Sequence, residues 1–190
     1  MKISAVLLAG GESHRMGKDK ATLLFRGRPL WQIQLELLRK LELAEIFISA
    51  RTDPPWRPAD IQFVSDDPPS RGPLSGLAAS LARMRSTHLL ALAIDMPFMS
   101  EKYLRSLCDQ IGSRSGVLPM IGARAEPLAA IYPAKAHVDL VEALSRSEFS
   151  LQPLTNKLVK AGKLRALNVA KDEETLFRNL NEAADLDLSQ

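Results

Sequence analysis

Apolar positions along this chain alternate between short unbroken runs and runs spaced at three and four residues. Residues 3–8 form the first of these runs, apolar except for Ser4, and suit a strand buried on both faces. Leu30, Ile33, Leu37 and Leu41 then keep helical spacing, with Pro29 where a first-turn proline is tolerated. Residues 46–50 and 61–64 read as short strands. Between them, Thr52-Asp53-Pro54-Pro55-Trp56-Arg57-Pro58 is too proline-rich for a helix and reads as an exposed loop. Pro73 opens a helix carrying Leu74, Leu77, Leu81 and Met84, which leads into a buried-strand run over 89–94. A helix capped by Ser100 spans 100–111. Residues 117–121 and 127–132 flank Gly122-Ala123-Arg124 and can pair, while Val138, Val141 and Leu144 predict a helix after Pro133. A helix over 151–161, a short strand over 164–169 and one or two helical turns after Asp172 complete the pattern.

Strands that alternate with helices and are continuously apolar predict an α/β fold, a mainly parallel sheet covered by helices on both faces. Ligands collect at the carboxyl ends of such strands. Gly10 and Gly11 end the first predicted strand, Asp66 and Asp67 the third and Asp95 the fourth, so distant segments converge on one rim. The 190 residues, 46% hydrophobic, read as one domain over 1–190.

Charge narrows the partners. Lys plus Arg number 25 against 22 Asp plus Glu, a net +3, which suits a small anionic substrate better than nucleic acid. No apolar run reaches the ~18 residues of a spanning helix, and Met1-Lys2-Ile3 leads straight into the first strand, so a cytoplasmic protein without membrane contact is expected. The single cysteine, Cys108, shares a helical face with Tyr103, Leu104, Leu107 and Ile111 and reads as a core residue. His14, His88 and His137 lack ligand spacing, and Trp31 and Trp56 read as packing or loop anchors.

The chemistry concentrates in Val6-Leu7-Leu8-Ala9-Gly10-Gly11-Glu12-Ser13-His14-Arg15-Met16-Gly17-Lys18-Asp19-Lys20. Paired glycines at the end of a buried strand let bare N–H groups approach an anion, and Arg15, Lys18 and Lys20 add cations, the makings of a triphosphate cradle. A P-loop would need Ser or Thr after Gly17-Lys18, where Asp19 stands, and the Gly-x-Gly-x-x-Gly dinucleotide fingerprint is missing. The segment does resemble the signature Leu-Ala-Gly-Gly-x-Ser-x-Arg-Met-Gly-x-x-Lys of the small nucleotidyltransferases, most closely the molybdenum cofactor guanylyltransferases, with every fixed position filled from Leu8 to Lys20.

Asp95-Met96-Pro97-Phe98 follows the apolar run at 89–94, so a carboxylate leaves a buried strand at the sheet edge and the proline turns the chain away. Magnesium takes one or two carboxylates plus phosphate oxygens, and the resembled family has its magnesium aspartate here. A structural alternative, Asp95 as a helix cap, is weakened by Ser100, the better cap. Ser65-Asp66-Asp67-Pro68-Pro69-Ser70-Arg71-Gly72-Pro73-Leu74-Ser75-Gly76 is the second match, to an aspartate a few residues before Gly-Pro-Leu-x-Gly. Asp67 aligns best with the family's nucleotide-contacting aspartate and Asp66 is its rival. Gly72 and Gly76 admit close approach to a nucleotide, although Gly72-Pro73 is also a loop-to-helix joint. Glu126-Pro127-Leu128-Ala129-Ala130-Ile131-Tyr132 is similar to the family's Pro-Leu-x-Ala-x-Tyr strand, which places Pro127 and Leu128 on the acceptor side. Asn179-Leu180-Asn181 is similar to an Asn-x-Asn whose second asparagine lies near acceptor and metal, with helix capping as Asn181's other reading. Ser49 stands where relatives often have a nucleotide-contacting asparagine, and reaches less far.

The resemblance implies a three-layer α/β/α Rossmann-like nucleotidyltransferase fold. It implies catalytic Lys20, Arg15 and Asp95, nucleotide binding by Leu8, Ala9, Gly10, Gly11, Lys20, Asp67 and Asp95, and magnesium on Asp95. The implied reaction transfers GMP from GTP to the terminal phosphate of molybdopterin with release of pyrophosphate and no covalent intermediate. A monomer is expected, with molybdoenzyme maturation proteins as further partners. Leu-Ala-Gly-Gly favours guanine, since the related cytidylyltransferases typically read Leu-Ala-Ala-Gly. A cytidylyltransferase, another small-metabolite nucleotidyltransferase, and a regulatory module that binds a nucleotide without turnover are the alternatives.

Overall fold

The computed structural model describes residues 1–10, 19–66, 71–146 and 149–180. In chain order its strands and α-helices are β1 (Ile3–Leu8), β2 (Leu24–Phe25), β3 (Arg28–Pro29), α1 (Leu30–Arg39), β4 (Ile46–Ala50), β5 (Gln62–Ser65), α2 (Pro73–Arg83), β6 (His88–Ala93), α3 (Glu101–Asp109), β7 (Gly116–Ile121), β8 (Arg124–Ala125), β9 (Ile131–Pro133), α4 (His137–Ser145), α5 (Leu151–Lys160) and β10 (Leu164–Asn168). β1 runs parallel between β4 and β6, the central place that an unbroken apolar run suits because both its faces are covered. β5 extends the parallel pairing beyond β4, and the sheet order is β10-β7-β9-β6-β1-β4-β5. Among the described residues of this sheet, only β9, antiparallel to β6 and β7, and the short β8 break the parallel sense.

Side-chain alternation sorts the core into two halves. Ala5 and Leu7 of β1 and Leu90 and Leu92 of β6 face Leu30, Leu35 and Leu38 of α1 and Leu104 and Leu107 of α3. Val6 and Leu8, with Leu89 and Ala91, face the other way, onto Leu74 and Leu77 of α2, Leu140 of α4 and Leu158 of α5. A sheet with helices on both faces, the predicted α/β/α layering, is what this division means. Ser100 caps α3 as expected, its Oγ accepting from the Tyr103 N–H at 3.2 Å. Cys108 is partly buried on α3, and that burial pushes its thiol pKa up to about 11, so it stays protonated. Among the described residues no helix is long and apolar enough to cross a membrane.

Three expectations are corrected. Residues 127–132 are not one strand: Pro127–Ala129 forms a 3-10 turn and the strand begins only at Ile131, which pairs with Val117 of β7 as expected, while β8 is the tight hairpin partner of β7. Pro127 has no N–H for a ladder, and the Tyr132 hydroxyl donates to its carbonyl at 2.8 Å, closing the turn instead. The helix α4 exists, but Val138 and Val141, which predicted it, are 70% and 46% exposed, and its inner face is Asp139, Leu140 and Ala143. The Lys163 ammonium meets the Asp139 carboxylate, which allows that charge to face inward. Pro29 sits at the N-cap of α1 rather than in its first turn, and residues 20–29, left blank by periodicity, hold a 3-10 turn (Lys20–Thr22) and the β2–β3 hairpin.

Candidate functional site

Parallel strands that end together create the rim. The N–H of Ala9 donates to the Ser49 carbonyl (2.8 Å), that of Ile94 to Leu8 (3.1 Å) and that of Asp66 to Ala50 (3.1 Å), so the ladder carries the ends of β1, β4, β5 and β6 into register. A cleft of about 130 Å³ opens there, lined among others by Leu8, Gly10, Lys20, Ser49, Asp66 and Asp95. The cleft thus lies at the strand ends, where the sequence placed the rim.

Lys20 reaches the cleft on a braced turn. Asp19 caps that turn, its Oδ1 accepting from the Ala21 N–H at 3.0 Å, while its Oδ2 accepts from the Trp56 indole N–H at 2.7 Å. Trp56 in turn stacks on Trp31 with centroids 5.7 Å apart, so both tryptophans serve as anchors. From this turn the Lys20 Nζ lies 3.1 Å from Asp95 Oδ2, with both side chains 18% exposed. Asp95 leaves β6 at its carboxyl end, and its carbonyl accepts the Leu180 N–H at 2.9 Å, which ties the C-terminal segment to the same corner. Phe177 helps to hold that segment, edge-on to Tyr103 at 5.3 Å.

A second carboxylate forms the floor. Asp66 is 5% exposed and its Oδ1 accepts the Ser49 hydroxyl at 2.5 Å. Two glycines make room for the pair. A Cβ on Gly10 would stand 2.9 Å from Asp66 Oδ2, and one on Gly76 would stand 2.5 Å from Ser49 Oγ and 2.9 Å from Leu8 Cδ2. Gly72 is needed for another reason, a φ of +69° immediately before Pro73 at the start of α2, so it is both the helix joint and part of the lining.

Leu128 also lines the cleft, from the Pro127–Ala129 turn. Gln152 of α5 clamps the approach to that turn, donating to the Ala125 carbonyl at 2.7 Å and accepting from its N–H at 3.1 Å. Glu126, between clamp and turn, has its carboxyl pKa raised by burial, with Arg124 opposing.

The structure thus brings together Leu8, Gly10, Lys20, Asp66, Asp95 and Leu128, with Ala9 between the first two. Gly11, Arg15, Lys18, Asp67 and Asn181 lie outside the described residues. Reading the sequence missed the Ser49–Asp66 bond, the Asp19–Trp56 brace and the Gln152 clamp. Only the first had a signal, two polar residues each at the end of an adjacent strand.

Residues 5–162 match the family described as the MobA-like NTP transferase domain. The protein of Opitutus terrae named "Probable molybdenum cofactor guanylyltransferase" is 32% identical over 188 residues, covering 97% of this chain and 93% of that one. Among solved structures, molybdopterin-guanine dinucleotide biosynthesis protein A from Archaeoglobus fulgidus superposes with a TM-score of 0.76 at 21% identity, over 100% of this chain and 96% of that one. The 2-C-methyl-D-erythritol 4-phosphate cytidylyltransferase of Thermus thermophilus superposes at 0.73 with 14% identity, over 100% and 97%. At those identities the two structures speak for the fold alone, and the second is a cytidylyltransferase, so fold does not select the base.

Proposed function

The chain belongs to the MobA-like NTP transferase family, and from that premise we propose that it transfers GMP from GTP to the terminal phosphate of molybdopterin. An acceptor phosphate oxygen attacks the α-phosphorus of GTP, the bond from that phosphorus to the bridging oxygen breaks, and pyrophosphate leaves with the electron pair. The observation that carries the reading is a lysine and an aspartate from segments 75 residues apart meeting at 3.1 Å on the rim of a polar-floored cleft.

Each residue then has a task. Lys20 exchanges the Asp95 carboxylate for phosphate oxygens, and Arg15 assists it. Backbone from Leu8 through Ala9 and Gly10 to Gly11 encloses the nucleotide, and the Ser49–Asp66 floor, together with Asp67, offers acceptors to nucleoside N–H and hydroxyl groups. Pro127, Leu128 and Asn181 border the acceptor. The donor set suits magnesium: Asp95 is one carboxylate at a strand end, Asp66 is a second on the same cleft, and the described residues contain no cluster of three or more metal-binding side chains. Such a set fits an ion that arrives with the triphosphate, which completes its shell. When bound, magnesium supplies charge neutralisation at the phosphates, and Asp95 is the residue that would hold it. The rest of the rate comes from positioning and fixed electrostatics.

The glycine contacts make one sharp expectation. In Gly76→Ala the added methyl displaces the Ser49 hydroxyl from Asp66, which loses a buried hydrogen bond of about 1–2 kcal/mol. Melting temperature is expected to fall by roughly 2–8 °C, and nucleotide affinity to fall several-fold. A thermal melt and a nucleotide titration check this, and wild-type values in both would show a floor that tolerates a methyl group.

The decisive assay is pyrophosphate release with GTP or CTP, each with and without molybdopterin, in the presence of magnesium. Release is expected only with GTP and molybdopterin together. A clear preference for CTP would make the protein a cytidylyltransferase, and nucleotide binding without release under any combination would make it a regulatory module.

A further inference from the structure

Beyond Lys20 the chain makes the β2–β3 hairpin, whose turn places Arg26 at φ +51° and Gly27 at φ +74°. Two positive φ values in a row favour Asn-Gly or Gly-Gly. Arg26 is the one non-glycine residue among the described residues in the left-handed region, a strained choice for a bulky side chain. Its guanidinium lies over the Phe25 ring at 5.3 Å. Phe25 packs edge-on against Phe98 at 5.1 Å, and over Phe98, at 5.6 Å, lies the guanidinium of Arg178. Phe98 is three residues beyond Asp95, and Leu180, two residues beyond Arg178, donates its N–H to the Asp95 carbonyl. Two arginines therefore lie over one aromatic pair that joins the β2–β3 hairpin, through Phe25, to the segment after Asp95, through Phe98.

Their neighbours use their charges differently. Arg28 pairs with Glu36, Arg39 with Asp60, Arg57 with Asp53 and Arg105 with Glu101. Among the described residues neither Arg26 nor Arg178 has a carboxylate partner, and both are exposed, so their N–H donors are not committed to an ion pair. The transfer reaction needs such donors. A phosphate dianion must approach a triphosphate, and the described cleft sets one lysine, Lys20, against two carboxylates, Asp66 and Asp95. An arginine matches a phosphate with two parallel N–H bonds, and an aromatic face behind it holds its plane without consuming them.

We propose that Arg26 and Arg178 form an anion-binding rim that takes the phosphate end of the acceptor and guides it to the Asp95 corner, an inference that rests on the transfer reading above. The rim sets acceptor affinity, not nucleotide affinity. In the double variant Arg26→Ala/Arg178→Ala, at saturating GTP and magnesium, the molybdopterin concentration for half-maximal pyrophosphate release is expected to rise about tenfold, the worth of one charged hydrogen bond. GTP affinity and melting temperature stay at wild-type values, and Arg26→Lys/Arg178→Lys recovers part of the loss. An unchanged half-saturation overturns the rim, and so does an equal loss of GTP affinity, which would assign it to the triphosphate. Should the wild-type protein transfer nothing to molybdopterin, the transfer reading fails and inorganic phosphate decides the rim separately. Titrated into protein loaded with magnesium and a non-hydrolysable GTP analogue, phosphate should bind the wild type several-fold tighter than the double variant, and equal binding overturns the rim.

Discussion

Asp95→Asn is expected to lower pyrophosphate release by about 10²-fold or more and to move its magnesium midpoint to higher concentration, with the fold intact. The backbone at this corner is held by bonds that asparagine keeps: Ile94 N–H to the Leu8 carbonyl, and Leu180 N–H to the carbonyl of residue 95 itself. What asparagine removes is negative charge. A neutral amide holds a dication poorly, and losing a group that acts on transition-state charge typically costs about 10²–10³ in rate. The substitution also dissolves the ion pair with Lys20, but that pair keeps contact with solvent on both sides and is worth only about 0–1 kcal/mol. Melting temperature should therefore shift by a few degrees at most, whereas activity collapses. Measuring release against magnesium concentration separates the roles. A near-normal rate with an unmoved midpoint would leave Asp95 a counter-ion for Lys20 and nothing more.

What the sequence could and could not announce follows from the range of the interactions involved. β1 and β4 span the residues expected of them because a central parallel strand is apolar on both faces, a property carried by each residue alone. α2 begins at Pro73 and α3 is capped by Ser100 for equally local reasons. The phase of α4 was not legible, since Asp139 faces inward only because Lys163, 24 residues on, supplies a counter-charge. Likewise the turn at Pro127–Ala129 depends on a hydroxyl from Tyr132, and the apolar letters of 127–132 describe a strand equally well.

The site divides along the same line. That Gly10, Lys20 and Asp95 share one rim was legible, because Gly10 and Asp95 follow strands and Lys20 closes the glycine motif. The floor was not, because Ser49 and Asp66 are 17 residues apart and their bond exists only once β4 and β5 lie side by side. The brace on Lys20 joins Asp19 to Trp56 across 37 residues, a distance no spacing rule encodes.

Lys20→Ala is the complementary test, because it removes the cation of the pair where Asp95→Asn removes the anion. Folding should survive. The turn at Lys20–Thr22 is held by the Asp19 cap and by the Leu23 N–H donating to the carbonyl of residue 20, both indifferent to the lysine side chain. A lysine aimed at phosphate oxygens acts in the ground state and in the transition state alike, so the variant should lose both triphosphate affinity and transfer rate. A charged hydrogen bond is worth about 1.5–3 kcal/mol, which converts to at least about tenfold in binding and as much again in rate if the contact strengthens as charge develops. The magnesium midpoint supplies the discriminating sign. In the wild type the Lys20 ammonium, 3.1 Å from Asp95 Oδ2, competes with any other cation for that carboxylate. Without it, at saturating nucleotide, the midpoint should fall, opposite to its rise in Asp95→Asn. Titration calorimetry with GTP and release assays across magnesium concentrations give both quantities. Wild-type affinity and rate in a normally folded variant would reduce Lys20 to a surface cation, and a midpoint that rises in both variants would mean that the two side chains hold the ion's site together and do not compete for it.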